Sequence, residues 1–227
     1  MLFGGFQRTT LVDCPGRVAS IAFVLGCNML CHYCYNPNLV FRKTGRMDEE
    51  VIIDALRKRM PLIDAIVVTG GEPTIWKDLP LFLGRLKSMG FYIKLDTNGS
   101  NPLMLKYILG EGLADYVAMD VKAPWRSYRK ITGVAIGKER MIESAREIKL
   151  HAPDYEFRTT LAPGLSMEDL EGIAQQLGPA KRWLLQPFSS TRTILDPSVL
   201  SLPTVNMAEL EGRLPRLSAH FQECRVR

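Results

Sequence analysis

Cysteine is scarce in this chain, five in 227 residues, and that scarcity already excludes one way of holding a fold together. Five thiols are too few to staple a chain of this length as a disulfide framework. Long hydrophobic runs are missing too: none approaches the roughly 18 residues that cross a bilayer. The first eight residues lack the basic start, apolar stretch and small-residue cleavage site of an export signal, so a cytoplasmic, reducing setting is expected. Blocks of like charge, internal repeats and low-complexity tracts are absent. The basic residues are scattered along the chain, so no nucleic-acid footprint and no membrane association are expected. Lysine and arginine outnumber aspartate and glutamate by 29 to 24. That mild excess aids solubility or favours an acidic substrate or protein partner. With 46% apolar and 23% charged residues, the chain can build one substantial core, and a single domain over 1–227 is expected.

Three of the five cysteines fall within eight residues, Cys27-Asn-Met-Leu-Cys31-His-Tyr-Cys34, directly after the apolar run 18–25. Three thiolates can hold three irons of a [4Fe-4S] cube and leave the fourth iron open to a ligand that is not protein. Zinc is the alternative, with His32 completing a Cys3His set, although adjacent Cys31 and His32 do not match the spaced pairs of zinc fingers. Cys14 and Cys224 are two cysteines short of a second cluster and read as buried apolar filler.

Short β-branched runs alternate with amphipathic stretches, the pattern of βα units around a parallel sheet. Six strands are predicted at 18–25, 65–69, 92–96, 116–120, 155–161 and 182–186. Helices are predicted at 48–60, 79–89, 102–109, 138–150, 167–177 and 207–220, with a long Ser/Thr/Pro-rich surface loop at 187–203. Six units are too few for an eight-stranded barrel and suit an α/β partial (β/α)6 barrel of TIM-like type, followed by a loop and helix over 187–227. In βα barrels chemistry lies at the C-terminal strand ends. Polar motifs sit there four times: the cysteines, Thr69-Gly70-Gly71-Glu72-Pro73, Asp96-Thr-Asn98-Gly99 and Asp120-Val-Lys122.

The cysteine spacing, with Tyr33 before the last thiol, and the Gly-Gly-Glu-Pro turn one unit later together resemble the radical S-adenosylmethionine (radical SAM) superfamily. The turn Asp13-Cys14-Pro15-Gly16 and the Asp-Thr-Asn-Gly and Asp-Val-Lys segments narrow the likeness to glycyl-radical enzyme activases, above all those serving anaerobic ribonucleoside-triphosphate reductase. Cys14 and Tyr35-Asn36 depart from the form usual in activases of pyruvate formate-lyase. The resemblance implies a radical SAM partial-barrel fold. It implies that Cys27, Cys31 and Cys34 hold a [4Fe-4S] cluster, that Gly70, Gly71 and Glu72 hold the methionine amino group of SAM, and that Tyr33 packs near the adenine. It further implies that Asp96 and Asp120 help bind a monovalent cation beside the SAM carboxylate, and that Lys122 faces that carboxylate or the ribose. Arg158, Gln186 and Asn98 are further candidates for contact. Each residue also has a plainer reading: a core tyrosine, a Gly-Gly turn, acidic strand-end caps, a solvated lysine, an Asn-Gly turn. His151 and His220 read as surface residues.

The implied chemistry is reductive cleavage of SAM and transfer of a hydrogen atom from a glycine of a partner enzyme. A flavodoxin- or ferredoxin-type protein would supply the electron. The cofactor does this chemistry, so the lack of a His-carboxylate pair or nucleophile elbow is expected. Two other readings remain: a radical SAM enzyme acting on a small molecule, such as a 7-carboxy-7-deazaguanine synthase, and a cluster- or zinc-bearing structural or electron-transfer module without SAM.

Overall fold

The computed structural model describes residues 1–227 and places nine strands in one sheet. The strands are β1 (Leu2–Thr10), β2 (Ala19–Val24), β3 (Met47–Asp48), β4 (Ala65–Gly70), β5 (Tyr92–Thr97), β6 (Tyr116–Asp120), β7 (Asp154–Leu161), β8 (Ala180–Pro187) and β9 (Phe221–Val226). The helices are α1 (Pro37–Val40), α2 (Glu49–Arg57), α3 (Leu79–Ser88), α4 (Pro102–Gly110), α5 (Tyr128–Thr132), α6 (Lys138–His151), α7 (Met167–Leu177) and α8 (Met207–Ser218). Sheet order is β3-β1-β2-β4-β5-β6-β7-β8-β9. From β2 onward every neighbouring pair is parallel, while β1 and β3 form an antiparallel edge. The α/β open barrel expected from the six repeated units is therefore present, with β3 and β9 at its two free ends.

Local chemistry explains why the helices start and stop where they do. Glu49 and Glu50 open α2 and Arg57 closes it, so both ends complement the helix dipole, while Ile52, Ile53 and Leu56 face the core. Ser166 and Asp169 form a reciprocal capping box on α7. Asn101 accepts from Met104 N at the head of α4, with Pro102 in the first turn where its missing N–H costs nothing.

The two faces of the sheet differ. Alternate residues Ile93, Leu95, Val117, Met119, Phe157 and Trp183 join the helices in one apolar core of 48 buried residues. Their neighbours in the strands, Lys94, Asp96, Asp120, Glu156 and Arg158, point to the inner face. At its lower end the loop between β1 and β2 closes this inside: Cys14 packs with Ala19, Ile21, Ala65 and Val67, and Lys94 Nζ donates to Asp13 O at 2.7 Å.

Three expectations need revision. A strand covers 2–10, where Gly4 and Gly5 lower strand propensity; pairing with β2 supplies the order, with register shifts along the way. The C-terminal segment is not only a loop and helix: β9 follows α8 and adds a parallel strand to β8. Its alternation Phe-Gln-Glu-Cys-Arg-Val reads as a polar tail until the inner face accepts the charges. Residues 187–203 do not run free over the surface. They include a short 3-10 turn, Pro197–Ser201, and lie against the cysteine loop.

Candidate active site

All thirteen residues singled out from the sequence line one cavity of about 400 Å3 at the C-terminal ends of the parallel strands: Cys27, Cys31, Tyr33, Cys34, Gly70, Gly71, Glu72, Asp96, Asn98, Asp120, Lys122, Arg158 and Gln186. Parallel strands in register explain the convergence, since each motif leaves the sheet at the same level.

The cysteine loop is held from several sides. Leu30 N and His32 N donate to Thr132 O and Ile131 O at the end of α5, at 2.9 and 3.3 Å. Backbone N–H groups of Met29 and Asn36 donate to the sulfurs of Cys27 and Cys34, each at 3.4 Å, contacts of the kind that tune sulfur ligands of iron. Burial pushes the thiol of Cys27 up to about 12 and that of Cys31 to about 11, so both are neutral near pH 7 until a metal displaces the proton. His32 turns away from the cavity. Its Nδ1 lies 3.7 Å from Asp196 Oδ2, and no three His, Cys, Asp or Glu side chains are disposed around a single-ion site. That arrangement does not suit the Cys3His zinc site.

Gly70 and Gly71 are glycine because backbone meets backbone here. Gly70 has φ +118°, and a Cβ on Gly71 would lie 1.9 Å from Gly26 O. Gly71 N donates to Val24 O and Glu72 N to Gly26 O, each at 2.9 Å, fastening this turn to the strand that leads into the cysteines. Glu72 is 1% exposed. Its Oε1 accepts from Thr74 N, Thr74 Oγ1 and Thr97 Oγ1 at 3.0, 2.5 and 2.7 Å, and its Oε2 from Asn98 N at 2.6 Å. Burial raises its pKa and these four donors oppose that shift. Most of the Glu72 carboxylate is thus committed to tying the second turn to the third, and Oε2 keeps the freer lone pair. Asn98 continues the chain of contacts, donating from Nδ2 to Asn28 Oδ1 at 2.9 Å.

Opposite the thiols lies a charged set. Arg158 donates from Nε to Asp120 Oδ1 at 2.8 Å and from Nη1 to Asp96 Oδ2 at 3.0 Å. Lys122 Nζ lies 3.4 Å from Asp120 Oδ2 and 5.9 Å from the Tyr33 ring centroid. Burial disfavours charge on Asp120, yet Arg158 and Lys122 outweigh it and hold the carboxyl below its usual range. Burial disfavours charge on Lys122, yet Tyr33 and Asp120 beside it outweigh that and hold the ammonium well above the usual lysine value. One layer deeper, Lys94 Nζ is 3.3 Å from Glu156 Oε1 and 3.9 Å from Asp96 Oδ1. Asp96 Oδ1 is buried with no hydrogen-bond partner.

Sequence reasoning missed Thr74 and Thr97, which hold Glu72 Oε1; Asn28, between two cavity loops; and Lys94 with Glu156, beneath the charged set. A lysine and a glutamate alternating with apolar residues in strands destined for burial were the available signal. It also missed Tyr35 and Arg192, at the mouth: Arg192 Cζ is 4.6 Å from the Tyr35 ring centroid.

The residues suit a cluster with an amino-acid-bearing ligand. Three thiols line one cavity, fixed charges of both signs face them, and a buried carboxylate oxygen, Asp96 Oδ1, accepts no hydrogen bond. His151 lies outside, beside Glu147, and Cys224 is half-buried on β9.

Comparison with known proteins follows the same line. The model of the radical SAM superfamily matches residues 21–177. A Methanocaldococcus jannaschii protein provisionally named a glycyl-radical enzyme activating enzyme is 34% identical over 197 residues, 82% of this chain and 80% of its own length. Pyruvate formate-lyase-activating enzyme of Streptococcus mutans is 28% identical, over 70% of this chain and 64% of its own. A 7-carboxy-7-deazaguanine synthase of Neisseria meningitidis is 32% identical, over 56% of this chain and 50% of its own. Among solved structures, Streptococcus suis SuiB bound to S-adenosylmethionine superposes with a TM-score of 0.71 at 12% identity; the match covers 91% of this chain and about half of SuiB (49%). No helix is long and apolar enough to cross a membrane.

Proposed function

The chain belongs to the radical SAM superfamily, whose cofactors are a [4Fe-4S] cluster and S-adenosylmethionine, and from that premise we propose that it is a glycyl-radical enzyme activase. Its partner in this reading is anaerobic ribonucleoside-triphosphate reductase, and a flavodoxin- or ferredoxin-type protein delivers the electron. The observation that carries the activase reading is the 34% identity, across four-fifths of both chains, to a protein provisionally named a glycyl-radical enzyme activating enzyme.

Cys27, Cys31 and Cys34 would hold the cluster, with the Met29 and Asn36 amides stabilising charge on two of the sulfurs. When bound, cluster and SAM together supply an electron and a 5′-deoxyadenosyl group able to take a hydrogen atom from the partner's glycine. The protein's own task is positioning. Asp96, Asp120, Lys122 and Arg158 form a mutually paired set, a fixed dipolar surface for the amino and carboxylate groups of a bound amino acid. Asp96 Oδ1 is free to accept a donor or a monovalent cation. Gly70, Gly71 and Glu72 hold the second turn against the first and third, leaving backbone groups and Glu72 Oε2 for the ligand. Tyr33 and Asn98 complete the wall, and Gln186 lines the far side. No general acid or base is needed.

Anaerobic EPR tests the reading: the reduced, cluster-loaded protein with SAM and anaerobic ribonucleoside-triphosphate reductase should give a glycyl-radical signal together with 5′-deoxyadenosine. Deoxyadenosine without that signal would favour the second reading, a small-molecule enzyme, which the 32% identity to a 7-carboxy-7-deazaguanine synthase supports over a shorter span.

A further inference from the structure

The basic residues, dispersed in the sequence, are gathered by the fold onto one end of the sheet. The six segments that follow β2, β4, β5, β6, β7 and β8, residues 25–46, 71–78, 98–101, 121–137, 162–166 and 188–206, carry nine lysines and arginines against three acids. That is a formal charge of +6 where the whole chain has +5. One of the three acids, Glu72, is buried. Loops at the opposite end, residues 11–18, 58–64, 89–91, 111–115, 152–153, 178–179 and 219–220, net −1. The excess charge of the protein therefore resides around the cavity mouth.

Most of that charge is unspent. Arg42, Lys43 and Arg46 on the loop after the cysteines are exposed and make no ion pair. Arg129 and Lys130 on α5 are likewise exposed and unpaired, and Arg126 has only Asp169, at 3.8 Å. Arg192 completes the ring over Tyr35, on a segment strapped to the cysteine loop: Leu195 N donates to Cys34 O at 3.0 Å and Asp196 N to His32 O at 2.9 Å. The same loops expose apolar side chains, Leu30 at 39%, Phe41 at 48%, Leu200 at 46% and Leu202 at 39%. Cations interleaved with apolar side chains around one opening fit a protein surface with acidic rim residues. Phosphate backbones would use the cations and leave the apolar groups wet.

We propose that this C-terminal face is the docking surface for the glycyl-radical partner, and that it recognises an acidic surface around the partner's glycine-bearing segment. The inference rests on the activase reading and adds the chemistry of recognition to it. Opposite charges across a rim speed encounter and exclude wrong partners more than they deepen the final complex, and salt weakens them.

The test measures the rate of glycyl-radical formation against the concentration of anaerobic ribonucleoside-triphosphate reductase, at low and high salt, with partner-free SAM cleavage under dithionite recorded for each protein. The cluster-loaded charge reversals Arg129→Glu/Lys130→Glu and Arg42→Glu/Lys43→Glu are compared with Lys58→Glu/Lys106→Glu, exposed lysines outside this face. About a tenfold rise in KM for the partner in the first two, with a flatter salt dependence and unchanged partner-free cleavage, is expected; the control should match wild type. A wild-type protein that activates the partner while all three variants keep its KM and salt slope overturns the docking inference alone. Loss of transfer-RNA binding with unaltered partner kinetics overturns it in favour of nucleic acid. A wild-type protein that cleaves SAM yet yields no glycyl radical overturns the activase reading and the docking inference with it.

Discussion

The two faces of the same strands obey opposite rules. On β5, Ile93 and Leu95 turn to the helices and are fully buried in the core, whereas Lys94 and Asp96 turn inward. β6 and β7 repeat the division, with Val117, Met119 and Phe157 outward, and Asp120, Glu156 and Arg158 inward. Parallel strands covered on both faces usually run continuously apolar. Alternation in a parallel sheet therefore marks a face kept for something other than packing. Here the inner face carries paired charges, Lys94 and Glu156 fully buried and Asp96, Asp120 and Arg158 partly so, that are almost neutral in sum, an arrangement costly to break and of modest value to stability.

The largest contrast should come from the cavity itself. Cys31→Ala is expected to abolish both iron incorporation after reconstitution and 5′-deoxyadenosine formation while leaving the far-UV circular dichroism unchanged. Leu95→Ala, two strands away on the other face, should retain iron and SAM cleavage at a temperature where it is folded. Retained SAM cleavage in the cysteine variant would break the assignment of the three thiolates.

Stability separates the faces next. Lys94→Met strands Glu156, which is 1% exposed, and should cost about 3–5 kcal/mol in a urea titration. The double variant Lys94→Met/Glu156→Leu should recover much of that loss, because the uncompensated charge goes with its partner. Leu95→Ala should cost about 2–5 kcal/mol, and no second substitution across the charged face should rescue it.

Acid sharpens the same comparison. Burial works against the charges of Asp120 and Glu156, but their basic neighbours, Arg158 and Lys122 around the first and Lys94 and Arg158 around the second, hold both carboxyls below their usual range. A carboxyl lowered by folding contributes stability that is fully present above its unfolded value, about 4, and is lost as pH falls through the folded one. Glu72, raised by burial, acts in the opposite sense, so the difference between proteins is the informative quantity. Asp120→Asn should show a shallower loss of stability below about pH 4 than wild type, while Leu95→Ala keeps the wild-type slope. Parallel acid profiles for Asp120→Asn and wild type would remove Asp120 from this account.

The smallest effect belongs to neither face. Arg57 and Asp54 pair at 2.9 Å on the outside of α2 with both side chains about 60% exposed. Arg57→Ala should change stability by less than about 0.5 kcal/mol in the same urea titration.

Much of this was legible in the sequence because periodicity is local. The strand at 116–120 and the helix at 167–177 coincide with β6 and α7, the helix running from a capping Ser166 to Gly178. The four polar motifs were legible for the same reason: each follows its strand directly. β1 and β9 were not, since Gly4-Gly5 in one and Glu223 with Arg225 in the other weaken the local signal, and only pairing across the sheet makes them strands. The partners of Glu72 were equally hidden. Thr97 and Asn98 lie 25 and 26 residues away, a separation that no spacing rule brings together.

What the amino-acid sequence determined by itself was the inventory and its order: three thiols on a loop after the first parallel strand, a Gly-Gly-Glu-Pro turn one unit on, and acids and a lysine at the following strand ends. What only the tertiary structure decided was which groups spend their charge on each other. Glu72 is taken up by Thr74, Thr97 and Asn98, and Arg158 by Asp96 and Asp120, while the arginines and lysines of three separate loops remain free around one opening. The division has a physical cause. Residue type and spacing act within a turn or two, whereas hydrogen bonds and ion pairs depend on distances of a few ångströms that a parallel sheet sets between residues far apart in the chain.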